Sequence, residues 1–348
     1  MKKNCIVVDF VPDSKWVFGE NFIQMVSDEI NGKWIIDGYD ACGKQQTIFD
    51  QIKRYFNYFW VGFKYFRIRN EVNVILSYQQ FYGIIMAYFC ALFHVKKSFK
   101  LVVMTFIYNP KSGFVGKIYD KFVRMAVESN YIDRIICFSK AECEEYKMYF
   151  NNAEDKFTST LLGKGSHGLK KTVVSDYIVS AGRSNRDYEF LINVLKDTDY
   201  QVKIICDCIS DTIRNNLPSN IQILNNTFGN EYLDILVNAK CVVIPLFNEN
   251  ISSGQLVLIQ AMEAGVPVIV LGTKALDEYI ADGKNGFLLK KDKRQLLDTI
   301  EGLYSDEERY DEVSANAMKY YYENHTVEAM ARSIAGIVNN IFYSGKML

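Results

Sequence analysis

The stretch that decides the fold is NENISSGQLVLIQAMEAGVPVIV, residues 248–270. It follows the apolar, strand-like segment Cys241–Pro245, continues as a helix over Gln255–Ala264 and ends in a second apolar strand over Pro267–Leu271. Short apolar strands separated by helices are typical of a parallel sheet with helices on both faces. The stretch therefore predicts an α/β domain.

The same alternation continues on both sides of this stretch. The C-terminal half predicts further strands at Tyr177–Ala181, Val202–Cys206, Ile221–Leu224 and Phe287–Leu289, and helices at Tyr188–Leu195, Tyr232–Asn238, near Leu276–Ile280 and from Arg294. The N-terminal half predicts strands at Cys5–Phe10, Val72–Leu76, Leu101–Phe106 and Arg134–Phe138. We therefore expect two Rossmann-like, doubly wound domains that face each other across a cleft, with ligands at the carboxyl ends of the strands.

The boundary between the domains is expected in LLGKGSHGLKKTVV, residues 161–174, which carries three glycines and three lysines between a helical segment and a fresh strand. Such a stretch is typical of an interdomain hinge. We expect an N-terminal domain over 1–168 and a C-terminal domain over 169–325. The remaining residues, 326–348, are expected to form a helix that packs back on the N-terminal domain.

Composition narrows the class of protein. The chain has 348 residues, 49% of them hydrophobic and 23% charged, which suits two ordinary globular domains. The start MKKNCIVVDF lacks a secretory signal, and the longest apolar run, Tyr82–Val95, is shorter than the roughly 20 residues that span a bilayer. We expect a cytoplasmic protein with that run as a buried helix. The eight scattered cysteines indicate no disulfide framework, and the pair Cys206 and Cys208 is expected to pack in the core and not to bind a metal.

Charge divides the chain. Residues 1–170 carry 23 Lys and Arg against 17 Asp and Glu, a net charge of about +6, which leaves about −7 for the rest. Residues 51–70 contain five basic residues, eight aromatic residues and no acid, which is typical of a segment on an anionic membrane. The alternative is a domain core with its basic residues on the solvated face. The acidic second half and the pI near 6.4 argue against nucleic acid as a partner.

The strand-to-helix junction at 248–260 favours an anion site. Ser252 or Ser253 can cap the helix, Gly254 allows the backbone to approach a ligand, and the first-turn amides around Gly254 and Gln255 with the helix dipole suit a diphosphate. Gln260 lies on the same helix face as Ser253 and is expected to look back toward that ligand. The alternative is a well-capped structural helix.

These residues resemble the donor-binding signature of the family 4 (group 1) glycosyltransferases, which have the GT-B fold. Gly254, the run Gln260–Gly265 and Pro267–Ile269 occupy the signature in order, and Asp277–Ile280 with Gly283–Leu288 resembles the next block of the family. The likeness extends from about Ile178 to Leu303. It implies a donor-binding C-terminal half, an acceptor-side N-terminal half and transfer with retention of stereochemistry.

The resemblance also implies roles for single residues. Arg183 aligns with the arginine that clamps the donor diphosphate, and Arg186 replaces a lysine that the family usually has at position 188, where this chain has Tyr188. The two family glutamates, eight residues apart, fall on Ser252 and Gln260. Gln260 can still accept hydrogen bonds from the ribose, whereas Ser252 is too short to replace its glutamate, so Glu249 is a candidate to take over.

Other positions carry weaker signals. Phe228 precedes a helix where relatives hold the base, and Gly19 is expected in an N-terminal loop that faces the donor phosphates, although an ordinary turn explains it equally well. His167 in the hinge is a weak catalytic candidate with Glu249, and no general base can be assigned. Because the chain has no D-x-D pair, we expect no metal and no cofactor, with the helix amides, Arg183 and Arg186 neutralising the leaving group.

The leading hypothesis is a glycosyltransferase that moves a sugar from a nucleotide-diphosphate sugar to a glycan or lipid-linked acceptor in cell-surface polysaccharide or glycolipid synthesis. It would work in the cytoplasm, peripherally on the inner face of the membrane. The alternative is a non-catalytic partner subunit of the same fold, which the missing glutamates favour. An epimerase lacks clear catalytic acids here, and an NAD enzyme lacks the G-x-G-x-x-G junction.

Overall fold

The computed structural model describes residues 2–9, 22–30, 32–39, 48–171, 173, 175–248, 253–272 and 274–344. The chain forms two compact units, one from residues 1–160 and 330–348, the other from residues 161–329. The boundaries predicted from the sequence are residues 168 and 325. The last helix, Val327–Ser344, belongs from Met330 onward to the first unit, where Asn339 Nδ2 donates to Glu29 O at 3.2 Å.

The first unit contains a parallel sheet in which the spatial order is β2-β1-β3-β4-β5-β6. Its strands are β1 (Lys3–Val8), β2 (Trp34–Gly38), β3 (Val72–Ser77), β4 (Lys100–Val103), β5 (Arg134–Cys137) and β6 (Phe157–Ser159). Its described helices are α1 (Phe22–Glu29), α2 (Ile48–Arg67), α3 (Gln80–Leu92), α4 (Gly113–Val127), α5 (Lys140–Tyr149) and α12 (Val327–Ser344).

One predicted element of this unit is confirmed, and two of its strands were not predicted. The apolar run at Tyr82–Val95 forms the largely buried helix α3, as predicted. The edge strands β2 and β6 were not predicted. Strand β2 is half-exposed along its length and β6 has a single apolar residue, Phe157, so neither carries the continuous buried apolar run by which parallel strands are found.

The second unit repeats this architecture with the order β12-β11-β10-β7-β8-β9. Its strands are β7 (Tyr177–Ala181), β8 (Gln201–Ile205), β9 (Ile221–Leu224), β10 (Cys241–Pro245), β11 (Val268–Leu271) and β12 (Phe287–Leu289). Its described helices are α6 (Tyr188–Leu195), α7 (Asp211–Arg214), α8 (Gly229–Val237), α9 (Gln255–Glu263), α10 (Lys293–Ser305) and α11 (Glu307–Asn324). The predicted α/β class with two doubly wound, Rossmann-like sheets is confirmed.

The short helix predicted near Leu276–Ile280 is wrong. Residues 275–279 form successive turns, closed by bonds of the i to i+3 type such as Tyr279 N to Leu276 O at 2.9 Å. The buried Tyr279 instead uses its hydroxyl to accept from Leu162 N at 3.0 Å. The buried Tyr279 side chain holds this segment in place without a regular helix.

The segment from Leu161 to Leu169 carries no helix or strand, yet it is held to the second unit by several hydrogen bonds. Lys164 N donates to His325 O at 2.9 Å, and His325 Nδ1 lies 2.9 Å from Leu162 O. His325 is fully buried and stacks on Tyr279, with ring centroids 5.0 Å apart. Burial lowers the pKa of His325 to about 4, so this histidine is a neutral structural residue at physiological pH.

Candidate functional site

The order of strands in the second unit identifies a candidate ligand site. Strand β7 pairs with β8 on one side and with β10 on the other, so the sheet changes winding direction between β7 and β10. In open α/β sheets, ligands bind outside the carboxyl ends of the strands at such a switch point. Here that place is formed by the loop from β7 to α6 and the loop from β10 to α9.

These two loops are joined by backbone contacts. Asp187 N donates to Pro245 O at 2.9 Å, and Arg186 forms an isolated antiparallel bridge with Leu246. Each loop follows a buried strand, so its first residues are positioned by the rigid sheet. The switch point is therefore a preorganised surface.

Arg186 lies at the centre of this surface. Its Nε donates to Ala181 O at 3.0 Å and its Nη1 donates to Ser184 O at 2.8 Å. A Cβ atom on Gly182, where φ is +118°, would be only 2.7 Å from Arg186 Nη2. Among the described residues no carboxylate pairs with Arg186. Burial lowers its pKa, but a guanidinium stays charged in proteins, so the described part of the site holds a positive charge that no carboxylate there pairs with.

The start of α9 lies beside this guanidinium. Gly254, the residue before the helix, has a φ of +95°, and a Cβ atom there would be 3.0 Å from Ile244 Cγ2 and 3.6 Å from Arg186 Nη2. The first amides of a helix have no acceptor inside that helix, and the helix dipole makes this end positive. The positive charge of Arg186 and the positive end of the α9 dipole therefore lie next to each other at the switch point.

Asn185 connects the two loops and was missed by sequence analysis. Its Oδ1 accepts from Asn248 N at 2.7 Å, and its Nδ2 donates to Asn248 O at 2.9 Å and to Ser253 Oγ at 3.1 Å. Its φ of +55° is a conformation that asparagine tolerates better than most residues. The asparagine between the two arginine positions, just before a helix, was the available signal.

A cavity of about 290 Å³ opens next to Arg186 at the ends of β7, β8 and β9. It brings together three residues that sequence analysis singled out separately, Arg183, Phe228 and Gln260. The Arg183 side chain is 60% exposed, pairs with Asp207 and lies with its guanidinium carbon 5.8 Å from the centre of the Phe228 ring. The exposed Phe228 ring thus forms one wall of a partly apolar pocket, and the Arg183 guanidinium lies at the mouth of that pocket.

Gln260 lies at the inner side of this cavity and is almost fully buried. Matching donors with acceptors orients its amide so that Oε1 accepts from Lys164 Nζ at 2.6 Å, while Nε2 donates to Leu256 O at 3.1 Å and to the Tyr232 hydroxyl at 3.0 Å. Burial lowers the pKa of Lys164, and the nearby Glu263 opposes that shift. Lys164 is therefore a site neighbour that sequence analysis read only as part of a hinge.

Glu263, another residue that sequence analysis passed over, holds the hinge to α9. Its Oε1 accepts from Ser166 Oγ and from His167 N, each at 2.7 Å, and the residue is 1% exposed. His167 is exposed, and its pKa is lowered by partial burial and by the charge of Lys164, with Glu263 opposing. The hydrogen bond from the His167 backbone amide to Glu263 thus holds this residue in place.

Several predicted contacts are resolved by the geometry, and some lie outside the described residues. Asp187, next to Arg186 in the chain, pairs with Lys291 at 2.9 Å. Tyr188 is buried and its hydroxyl donates to Gly182 O at 2.6 Å. Gln255 is buried in the first turn of α9. The candidates Gly19, Glu249 and Ser252 lie outside the described residues.

Comparison with known proteins agrees with this geometry. Residues 177–306 match the family described as Glycosyl transferases group 1. An uncharacterized glycosyltransferase of Methanocaldococcus jannaschii is 26% identical over 224 residues, which cover 60% of this chain and 59% of that protein. The chain thus matches less than two thirds of the length of this relative.

Solved structures resemble the whole chain at low identity. A sucrose-phosphate synthase from Thermosynechococcus elongatus has a TM-score of 0.69 and 13% identity, covering 99% of this chain and all of that one. Anabaena HepE in complex with UDP-glucose has a TM-score of 0.62 and 13% identity, covering 97% of this chain and 99% of that one. The chain has the GT-B fold of these solved structures, and residues 177–306 of its second unit match the group 1 glycosyltransferase family model, in agreement with the resemblance found in the sequence.

The close packing around Gly254 leads to a stability prediction. Replacing Gly254 by Ala adds a Cβ in a left-handed conformation and in contact with Ile244 Cγ2, whereas Gly283, with φ +72°, has no heavy atom within 4 Å of that position. Gly283→Ala should lower the free energy of unfolding by about 1–2 kcal/mol through backbone strain alone. Gly254→Ala should lower it by more, as measured by urea unfolding. Equal losses in the two variants would contradict the close packing at Gly254.

Proposed function

We propose that this chain is a nucleotide-sugar-dependent glycosyltransferase whose second unit binds the donor and whose first unit meets the acceptor. The observation that carries the proposal is the meeting of the Arg186 guanidinium with the N-terminus of α9 at the β7–β10 switch point. Both groups attract an anion, and the adjoining cavity has an apolar wall suited to a base. A nucleoside diphosphate combines these two chemistries in one molecule.

The reaction needs negative charge to be stabilised where the sugar leaves the diphosphate. In the proposal Arg186 and the first amides of α9 hold the phosphate nearest the sugar, and they neutralise the charge that develops on it. Arg183 closes on the diphosphate from the exposed side and exchanges Asp207 for phosphate oxygens. With these cations in place the proposed mechanism uses neither a metal nor a cofactor.

The base and ribose are assigned to the cavity beside Arg183. Phe228 presents an exposed ring at its edge, and Leu224 and Ile205 line its interior. Gln260, at the inner side, is proposed to contact the ribose through an amide that Lys164 and Tyr232 orient. Because no carboxylate replaces the family glutamates at 252 and 260, we propose that the sugar pocket is specialised, with Glu249 and His167 as candidates to contact the sugar.

The acceptor is proposed to be a glycan or lipid-linked molecule, with transfer that retains stereochemistry, in cell-surface polysaccharide or glycolipid synthesis. The surface of α2 supports a membrane location. Its exposed apolar residues recur at helical spacing on one face, which we call the aromatic face: Phe49, Ile52, Phe56, Phe59 and Trp60. Phe49 is 82% exposed and Trp60 is 58% exposed, which is unusual for a solvated helix.

Some basic residues of the α2 segment bond to other residues of the protein, and others are exposed to solvent. Lys64 pairs with Asp37 at 3.1 Å, and Arg69, just after the helix, donates to Phe66 O at 2.9 Å. Lys53 and Arg67 are exposed. The predicted segment is thus partly core, since Tyr58 and Tyr65 are buried, and partly a surface on which we propose that an anionic, cytoplasmic-side membrane docks. None of the helices in the described part of the chain is both long and apolar enough to span a bilayer.

A specific observation also supports the non-catalytic alternative. The amide of Gln260 has protein partners for its donors and for its acceptor, where the family has a glutamate that contacts the donor. A binding subunit would still bind a nucleoside diphosphate at Arg186. We propose UDP as the nucleotide, because HepE, which has the same fold, is in complex with UDP-glucose. A binding subunit would not release UDP from any UDP-sugar, with or without an acceptor, and this assay separates the two functions.

The phosphate assignment is tested with arginine variants. We expect Arg186→Ala and Arg183→Ala each to weaken UDP binding by about 1.5–3 kcal/mol, because each removes a charge-assisted contact. The effect should be larger at Arg186, since Arg183 must first leave Asp207. Calorimetry with UDP and with uridine checks this, because only the diphosphate ligand should be affected.

The matched control is Arg294→Ala, which removes a 91% exposed arginine on α10. It should leave UDP affinity unchanged. If a folded Arg183→Ala, Arg186→Ala double variant bound UDP as tightly as the wild-type protein, the phosphate assignment would be wrong.

The ribose assignment is tested at Gln260 together with Lys164. Gln260→Glu should keep UDP affinity, because its carboxylate still accepts from the ribose and from Lys164. Gln260→Leu should weaken UDP binding, but it also leaves the Lys164 ammonium without its acceptor, at a stability cost of about 1–3 kcal/mol. The double variant Gln260→Leu, Lys164→Met removes both partners and should regain stability. Wild-type UDP affinity in that stable double variant would disprove the ribose role.

Membrane docking is tested by liposome sedimentation. Lys53→Gln with Arg67→Gln should weaken binding to anionic vesicles by about 2 kcal/mol at low salt, since each basic residue near the surface contributes about 1 kcal/mol. Phe56→Ser with Trp60→Ser should weaken it through lost apolar burial. The control pair Tyr322→Ser and Lys319→Gln changes an exposed aromatic and an exposed lysine on α11 and should have no effect. If the wild-type protein never sedimented, membrane docking would be wrong and the segment would be only part of the domain core.

A further inference from the structure

Two cysteines contact each other at the edge of the proposed nucleotide site. Cys206 Sγ and Cys208 Sγ lie 3.2 Å apart just after β8, where the chain bends at Asp207. In an extended strand two such side chains would stand further apart along one face, and the bend brings the sulfurs together. Cys206 lines the 290 Å³ cavity, and both cysteines line a second cavity of about 370 Å³ next to Arg183 and Arg186.

The two thiols differ in access to solvent. Of the seven cysteines among the described residues, Cys208 is exposed and the other six are buried, so the expectation that Cys206 and Cys208 both pack in the core is wrong for Cys208. Cys137 and Cys143 also hydrogen-bond to each other, but both are buried, so no solvent-borne reagent reaches them directly. Cys206 and Cys208 thus combine a close partner with an exposed sulfur, which is the arrangement of a redox-active pair.

Asp207 completes a group of three ligand atoms within 4.8 Å of one another, which raises the question of a metal. Its carboxylate already pairs with the Arg183 guanidinium, which would have to be displaced. A tetrahedral site also needs a fourth protein ligand or water, and the described residues place no histidine in this group. The geometry therefore favours chemistry between the two sulfurs.

We propose that Cys206 and Cys208 are a reversible thiol–disulfide pair whose oxidation weakens nucleotide binding at the adjacent site. The oxidant is a small disulfide such as glutathione disulfide. The exposed Cys208 thiolate attacks one of its sulfurs, forming a mixed disulfide and releasing one glutathione thiolate. Cys206 then loses its proton, attacks the Cys208 sulfur, forms the Cys206–Cys208 bond and releases the second glutathione. Two electrons pass to the glutathione disulfide, and the two protons end on the two glutathione thiols.

Oxidation reaches the nucleotide site through Arg183. In the reduced protein the Cys208 thiol donates to Arg183 O at 3.7 Å, and Asp207, between the two cysteines, pairs with the Arg183 guanidinium. The disulfide removes the thiol donor and encloses Asp207 in a small ring, so both contacts that position Arg183 change. This consequence rests on the proposed function, because the role of Arg183 in binding the diphosphate is itself proposed.

The pair is tested first by peptide mapping of the full chain. The reduced protein is equilibrated in glutathione buffers of increasing oxidation, free thiols are blocked, and peptides are identified by mass spectrometry. We expect a peptide that contains Cys206 and Cys208, lacks two hydrogen atoms and carries no blocking group, while the buried Cys137 and Cys143 remain as thiols. A product that stops at glutathionylated Cys208, or thiols at 206 and 208 that persist after other cysteines oxidise, would overturn the proposal.

The effect on the site is tested with UDP as the probe. Calorimetry should show roughly tenfold weaker UDP binding in the oxidised protein, the loss of about one charge-assisted contact, with recovery after reduction. In Cys208→Ser the difference between oxidising and reducing buffers should disappear, whereas Cys241→Ala, which removes a buried thiol in β10, should retain it. Equal UDP affinity of the mapped disulfide form and the reduced form would overturn the effect on binding. Reduced protein that binds no UDP would instead overturn the proposed function, and peptide mapping decides the thiol pair independently.

Discussion

The site depends on one constraint, the parallel pairing of β7 with β10. In the register Cys241 pairs with Ile178 and Val242 with Val179, so the two strands end side by side, and the loops after them begin from a rigid base. The β7 loop carries Arg186 and the β10 loop leads to Gly254. Neither loop contains the proposed anion site by itself. A guanidinium held between two glycine positions and a helix N-terminus arises only when both strands lie in one sheet.

The missing side chains at Gly182 and Gly254 matter as much as the charges around them. A Cβ at Gly182 would overlap the Arg186 guanidinium, and a Cβ at Gly254 would press on Ile244. Both glycines have positive φ, a conformation that most residues avoid. The glycines allow the cation to lie against the backbone, where it is partly buried and gains from the reduced screening of the site.

Around Gln260, which replaces a glutamate of the family, the side chains of Lys164 and Glu263 supply the opposite charges. Glu263 is a buried carboxylate on α9, and its hydrogen bonds go to the segment that also brings Lys164 to the Gln260 amide. A lysine, an amide and a carboxylate thus meet on one face of α9 with their polar groups matched. A glutamine at 260 gives this group a neutral member between Lys164 and Tyr232. This arrangement accounts for a polar residue that stays buried without a charge of its own.

The sequence by itself determined the α/β class, most strand and helix positions and the junction at Gly254, because apolar periodicity and glycine conformation are local properties. It could not locate β2 and β6, since these two edge strands lack a continuous buried apolar run, whereas the edge strand β12 is apolar throughout. It named Arg183, Arg186, Phe228 and Gln260, but the partners came only from the tertiary structure. Asp207 beside Arg183, Lys164 beside Gln260 and Asn185 beside Ser253 are contacts between residues 24, 96 and 68 positions apart in the chain. No local pattern encodes such pairs, because they depend on which strand ends the sheet brings together.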